Sequence, residues 1–347
     1  ADVFEDYRIL GGFRIPLSFD NTEYLIGYEN LKNRIDKKLL LSRRSFSNKT
    51  RFQAEKIQTY EAKYTIKYPF SEVSSIRVTT NLRYDRNIRL STEPSSLLTN
   101  DVLNYYGGLK LEYVYDVTRV VGLNIMNGTR FKVWGEGMHE LNKAKTDFFT
   151  FGFDFRHYQK IHRSIVFATR VAASTSIGSQ KLIYFMGGVD NWIAAKYDPS
   201  IQIDPSQNYQ FQTIATPMRG FYQNARNGNN FAVINNEIRV PIFKYLSKNP
   251  IKSDFINNFM IVGFADVGTA WTGRNPYDID NSFNVIVIDG KNYNIEIENQ
   301  KEPIIYSYGG GLRSRLFGYY LKFDLAWGVD DGTVLRPIRH FSLALDF

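Results

Sequence analysis

One pattern restricts this chain more than any other: apolar and polar residues alternate at period two, over and over. From Ile76 one face holds Ile76, Val78, Thr80, Leu82 and Tyr84, and the other Arg77, Thr79, Asn81, Arg83 and Asp85. From Phe149 one face is Phe149, Phe151, Phe153 and Phe155, opposite Thr150, Gly152, Asp154 and Arg156. From Tyr319 the run Tyr319, Leu321, Phe323, Leu325 and Trp327 is backed by Tyr320, Lys322, Asp324 and Ala326. Tyr60–Tyr68 and Leu109–Tyr115 alternate in the same way. A period of two is the signature of a β-strand with two different faces. The expected fold is therefore all-β.

Soluble antiparallel sheets also alternate, with one face in water. Here the apolar face is largely aromatic, and the polar face mixes Arg, Lys, Asp and Glu. The chain carries 26 Phe and 23 Tyr in 347 residues, more large rings than a soluble core of this size needs. Strands of roughly ten residues suit a tilted bilayer crossing. Backbone groups in lipid are satisfied only in helices and closed barrels. No apolar run approaches the ~20 residues of a spanning helix; stretches such as Phe259–Ala265 are far shorter. The reading is a single transmembrane antiparallel β-barrel over residues 1–347. Fourteen strands can be counted along the chain, with a further pair conceivable within Asp2–Leu17 or Lys181–Trp192.

The connections support that reading. Asn33–Asp36, Tyr68–Ser71, Lys160–Arg163 and Leu316–Gly318 are short, whereas Ser91–Asp101, Gly187–Asn229 and Thr272–Pro303 are long. Short periplasmic turns and long outer loops are the pattern of bacterial outer-membrane barrels. The chain ends with Phe341, Leu343, Leu345 and Phe347 on one face and Ser342, Ala344 and Asp346 on the other. This is a closing strand with a lipid-facing ridge, and its terminal aromatic looks like the C-terminal signal of such barrels.

Composition removes several alternatives. There is no Cys, which excludes disulfides and thiolate metal sites. The net charge of +8 is not gathered into a basic block or helix, so nucleic-acid binding is not indicated. The N-terminus, Ala1-Asp2-Val3-Phe4, lacks the charged start and apolar stretch of a signal peptide, as expected for a mature chain or a fragment. The four His residues come with no Ser or Asp in a triad-like pattern. His157 reads as an interfacial residue near a turn, His162 as a turn residue, His139 as a loop residue and His340 as the start of the last strand. Asp278-Ile279-Asp280 and Asp330-Asp331-Gly332 are explained by turn chemistry. Gly309–Gly311 lies in a strand with no following Lys-Ser/Thr, so it permits bending or close approach and is not a phosphate loop. The expectation is no enzyme, no metal and no cofactor.

Four segments in the last third carry a family resemblance: Met218-Arg219-Gly220-Phe221 in the long loop; Asn235–Pro241, containing Glu237 and Arg239; Phe264-Ala265-Asp266-Val267-Gly268; and Gly309–Arg313, followed by the strand ending Ala326-Trp327-Gly328. In this order they resemble the barrel domain of BamA, TamA and the two-partner secretion transporters, the bacterial surface antigen family. In that family the sixth outer loop carries Val-Arg-Gly-Phe or Val-Arg-Gly-Tyr, and later strands carry a Glu, Phe-x-Asp-x-Gly and Gly-x-Arg. Met218 stands here for the usual Val. The resemblance favours sixteen strands, a Gram-negative outer-membrane location and a loop, about 187–229, that folds inward. It implies that Arg219 meets the inward Asp266, with Glu237 a second candidate, and that Arg313 belongs to the same motif set.

Chemistry agrees independently that an enclosed guanidinium needs carboxylates to offset its desolvation, and Gly220 would let the backbone turn beside the wall. Parity puts Glu237 and Arg239 on one face of their strand, but leaves Asp266 undecided, since both faces of its strand are apolar. The implied function is outer-membrane protein assembly or polypeptide translocation, with a passive diffusion channel or small-solute transporter as the alternative. Implied partners are client outer-membrane or secreted proteins, lipid and lipopolysaccharide, and accessory lipoproteins or an upstream periplasmic domain. Relatives carry such periplasmic domains before the barrel, whereas this chain reaches its first strand near Tyr7.

Overall fold

The alternation read from the sequence becomes an alternation of environment along nearly every strand. The computed structural model describes residues 7–14, 22–49, 54–90, 100–142, 146–201, 203, 212–214, 217–247, 251–279, 281–289 and 294–343. The first ten strands are β1 (Tyr7–Arg14), β2 (Glu23–Asn30), β3 (Asp36–Lys49), β4 (Ala54–Pro69), β5 (Ser74–Leu90), β6 (Val102–Asp116), β7 (Arg119–Gly122), β8 (Ile125–Glu140), β9 (Asp147–His162) and β10 (Ile165–Gly178). The long loop contains β11 (Ile183–Met186), β12 (Gln212–Ile214) and β13 (Arg226–Gly228). Then come β14 (Asn230–Val240), the helices α1 (Ile242–Leu246) and α2 (Asp254–Asn257), and β15 (Met260–Trp271). The chain continues through β16 (Val285–Asp289), β17 (Asn294–Glu298), β18 (Ile305–Leu316), β19 (Tyr319–Asp330), β20 (Thr333–Val334) and β21 (Ile338–Leu343).

Among the described residues, sixteen strands form one sheet in the order β1-β2-β3-β4-β5-β6-β8-β9-β10-β14-β15-β18-β19-β20, with β21 also on β19 and β7 on β8. Two of the sixteen prolong a neighbour. Val117 N–H donates to Thr129 C=O at 3.0 Å, which carries the ladder from β6 into β7. β20 and β21 both pair with β19, their registers offset by one residue. Fourteen continuous strands therefore make up the sixteen ladder elements, which is why fourteen can be counted by alternation. Strands β4 and β5 run 16 and 17 residues, longer than the ~9–11 that span a bilayer. Apolar periodicity marks the stretch in lipid, and the ladder continues past it. His139 lies near the end of β8 and His162 ends β9, where the sequence reading placed a loop and a turn.

Two compact units divide the chain: residues 1–115, 133–151 and 178–180, and residues 116–132, 152–177 and 181–347. In the first, Leu39, Leu41, Leu109, Leu111, Phe149 and Phe151 are exposed on the apolar face. The polar face carries ion pairs between cross-strand or alternate residues: Lys38–Glu29 at 2.6 Å, Lys63–Glu61 at 2.9 Å and Arg77–Glu112 at 3.1 Å. An uncovered apolar face this large requires a lipid environment.

In the second unit the polar face is not left to water. The long loop packs onto it, with β11 parallel to β12 and antiparallel to β13. Met186, Met218, Phe221 and Ala225 from the loop join Ala172, Phe231, Val233, Ala270 and Ile305 of the sheet in one buried apolar cluster. The strand faces of β14 and β15 beneath the loop are thus apolar and ionic together, which accounts for the undecided parity at Asp266. Of the C-terminal ridge, Phe341 is exposed and Leu343 half-buried; Leu345 and Phe347 lie outside the described residues.

Candidate functional site

The site is built around one arginine carried into the sheet by the loop. Arg219 is buried. Its Nε and Nη2 donate to Asp266 Oδ2 and Oδ1 at 2.7 and 2.6 Å, a bidentate fork. Nη1 donates to Glu237. The guanidinium carbon lies 3.8 Å from the centre of the Phe264 ring, so the cation is stacked as well as paired. Burial by itself disfavours the Arg219 charge, but Asp266 and then Glu237 outweigh it and hold the guanidinium above its ordinary pKa. It stays charged at any pH the protein meets.

The strands set these partners by register. Met260, Val262, Phe264 and Asp266 alternate inward on β15 with the exposed residues Ile261, Gly263 and Ala265. Glu237 is paired with Phe264 across β14–β15, which places its carboxylate beside the ring under Arg219. Glu237 also accepts from Arg239 Nε at 2.8 Å, and Arg313 Nη2 lies 3.8 Å from it. Arg313 Nη1 in turn donates to Asp324 Oδ1 at 2.5 Å. Arg239 Nη1 donates to the backbone and side-chain oxygens of Asn124, both at 3.2 Å. With buried Lys322 on the same face of β19 as Asp324, four cations surround three carboxylates. Such a cluster survives burial because each carboxylate is met by at least one cation.

Arg219, Gly220, Phe221, Glu237, Arg239, Asp266 and Arg313, the residues singled out from the sequence, therefore lie in one connected site. Gly220 has φ +81°, and a Cβ on it would come within 2.7 Å of Gly328 N and 2.9 Å of Trp327 C. The reciprocal contact is as tight: a Cβ on Gly328 would lie 2.6 Å from Gly220 O. The loop backbone touches the β19 backbone at two facing glycines. Gly309 and Gly311 allow a similar closeness within the sheet, since a Cβ on Gly309 would fall 2.2 Å from Leu325 O and one on Gly311 2.8 Å from Phe323 O.

Several residues of the site were not singled out by the sequence. His340 is fully buried, and its Nε2 accepts from Gly220 N–H at 3.0 Å. Its one sequence signal was its parity with Ser342. Trp192 lies over His340 with ring centres 4.4 Å apart. Ile193 N–H donates to Phe341 C=O at 2.8 Å, so the loop is bonded to the last strand. Asn235 Nδ2 donates to Pro217 C=O at 2.8 Å, anchoring the residue before Met218. A second loop arginine, Arg226, is also buried and reaches Asp330 Oδ1 at 2.5 Å and Glu302 C=O at 2.8 Å. Asp330, read from the sequence as turn chemistry, is thus an anchor of the loop.

A family model described as the Omp85 superfamily domain matches residues 12–345. Among solved structures the fold is similar to BamA from Haemophilus ducreyi lacking POTRA domains 1–3, with TM-score 0.59 and 14% identity over 92% of this chain and 61% of that one. It is also similar to CdiB from Acinetobacter baumannii, with TM-score 0.52 and 10% identity over 92% of this chain and 49% of that one. At these identities the likeness is one of fold, and the chain spans about three fifths and one half of those lengths. No curated protein matches the sequence.

Proposed function

Because the chain belongs to the Omp85 superfamily, we propose that it inserts polypeptides into the outer membrane or carries them across it. Its location is the bacterial outer membrane and its fold a β-barrel, as in its structural neighbours. The observation that carries the proposal is the Arg219 anchor: a loop pinned by a buried guanidinium held by Asp266 and Glu237. A loop fixed in this way supports a device that stays shut until a client rearranges it, because paired buried charges define one register and resist intermediate positions.

The clients would be unfolded outer-membrane or secreted proteins. Lipid, lipopolysaccharide, accessory lipoproteins and a periplasmic domain upstream of the barrel are the further partners proposed. No catalytic step is assigned. His157 meets Thr129 Oγ1 at 2.8 Å, His162 meets Tyr245 Oη at 3.0 Å, His139 meets Asp147, and His340 holds the Gly220 amide.

The test is reconstitution in vesicles with an unfolded outer-membrane protein as client, its folding followed by heat-modifiable migration. The protein should accelerate client folding, or carry a secreted polypeptide across, and Arg219→Ala should reduce that. A steady ohmic conductance in planar bilayers, with neither client folded nor polypeptide moved, would favour the diffusion channel and refute the proposal.

A further inference from the structure

Connections at one end of the second unit are minimal. Arg163-Ser164 joins β9 to β10, and the two-residue turn Phe317-Gly318 joins β18 to β19. The link between β14 and β15 at that same end is not: Pro241 to Phe259 contains both α-helices of the chain's described part. Neither helix buries a residue. Phe243, Leu246, Phe255 and Ile256 are exposed, Leu246 at 74%. In the β18–β19 turn at this end Phe317 is 90% exposed and sits at φ +50°, a conformation that bulky residues adopt only under strain. Turns of this kind ordinarily use Asn or Gly.

The placement of α2 tells what this apolar cluster faces. On β18 the residues Tyr306, Tyr308 and Leu312 point to the exposed, lipid-facing side, and Ser314 follows them in parity. Ser314 is nevertheless 5% exposed, and its Oγ donates to Phe255 C=O at 2.7 Å. The helix therefore lies against the end of the lipid-facing surface. Arg315 to Asp254 at 3.6 Å ties it to the strand end. The ring of Phe259 bridges Phe243 and Phe255, with centres 5.5 and 5.9 Å apart. At the other side Tyr245 reaches His162 and lies under Arg163. Lys244 and Lys252 are exposed on the same connection. Aromatic and aliphatic side chains next to lysines, continuous with a hydrocarbon-facing band, match the headgroup boundary of a bilayer.

We propose that the β14–β15 connection is a lipid-binding foot. Phe243, Leu246, Phe255, Ile256 and Phe317 enter the acyl boundary of the leaflet at this end, while Lys244 and Lys252 stay among the phosphates. The occupant is the phospholipid interface itself and not a protein. The inference rests on the membrane location of the chain and is independent of polypeptide handling.

The absence of cysteine makes the test direct. Nitroxides are attached singly at Leu246→Cys and Phe317→Cys in the full chain, in vesicles of phosphatidylethanolamine and phosphatidylglycerol. Leu312→Cys serves as the lipid-facing reference and Tyr277→Cys, on the loop beyond the other end of β15, as the aqueous one. Heat-modifiable migration confirms that each variant is folded. Power saturation should show Leu246 and Phe317 colliding with oxygen in preference to a water-soluble nickel chelate, as at Leu312. Nickel accessibility equal to that at Tyr277 would overturn the proposal. So would shielding from nickel that arises only on adding a periplasmic extract, which would make the occupant a protein.

Discussion

Replacing Arg219 by Ala tests the central ion pair. The substitution removes two bonds to Asp266, one to Glu237 and the stacking on Phe264. Glu237 is left with Arg239 at 2.8 Å and so remains partnered. Asp266 is fully buried, and among the described residues its carboxylate accepts hydrogen bonds from Arg219 alone; afterwards one backbone N–H at 3.4 Å is left. Removing one member of such a buried pair costs about 3–5 kcal/mol, because the other charge stays behind. Arg219→Ala should therefore lose on the order of 4 kcal/mol. Adding Asp266→Asn removes the stranded charge, and the double variant should be about 2 kcal/mol more stable than additivity requires. Arg219→Lys keeps the charge but not the fork and should lose about 1–2 kcal/mol. The assay is urea unfolding in lipid vesicles, followed by heat-modifiable migration and tryptophan emission. A loss for Arg219→Ala below about 1 kcal/mol, the range of exposed pairs, would refute the reasoning. Simple additivity with Asp266→Asn would do the same.

Three further outcomes are expected. Gly220→Ala must leave its positive φ or push away the Gly328 backbone; limited proteolysis should find the loop cleaved faster at unchanged strand content. His340→Ala leaves the buried Gly220 amide without its acceptor and should cost about 1–3 kcal/mol in the same urea assay, whereas His340→Gln, which restores an oxygen, should recover most of it. Leu109 is exposed on the apolar face at the middle of β6, so Leu109→Lys should cost about 2–4 kcal/mol; the same assay on Lys110→Gln, on the opposite face, should show a much smaller change.

What the sequence disclosed follows from what a period can encode. Phe149 to Phe155 and Tyr319 to Trp327 face lipid on one side and polar surroundings on the other, so hydropathy alone separates their faces. β15 does not work that way. Its inward residues Met260, Val262 and Phe264 lie in a buried cluster, so both its faces are apolar, and Asp266 was placed by resemblance instead of parity. His340 escaped because a single imidazole on an inward row resembles any other polar residue there; its role depends on Gly220, 120 positions away. The helices α1 and α2 span five and four residues, too few turns for a helical period to emerge. Arg226 and Asp330 were visible as residues, but nothing local pairs positions so far apart in the chain.

The facing glycines at 220 and 328 limit how this site can change with time. Neither position has a smaller replacement, so a methyl gained on one side finds no slack to be taken up on the other. Variation at either must be accompanied by backbone retreat, and retreat would draw the neighbouring guanidinium off its carboxylates. The spacing between loop and wall is thus fixed by two missing side chains, and any lineage that widens it must rebuild the charge cluster in the same step.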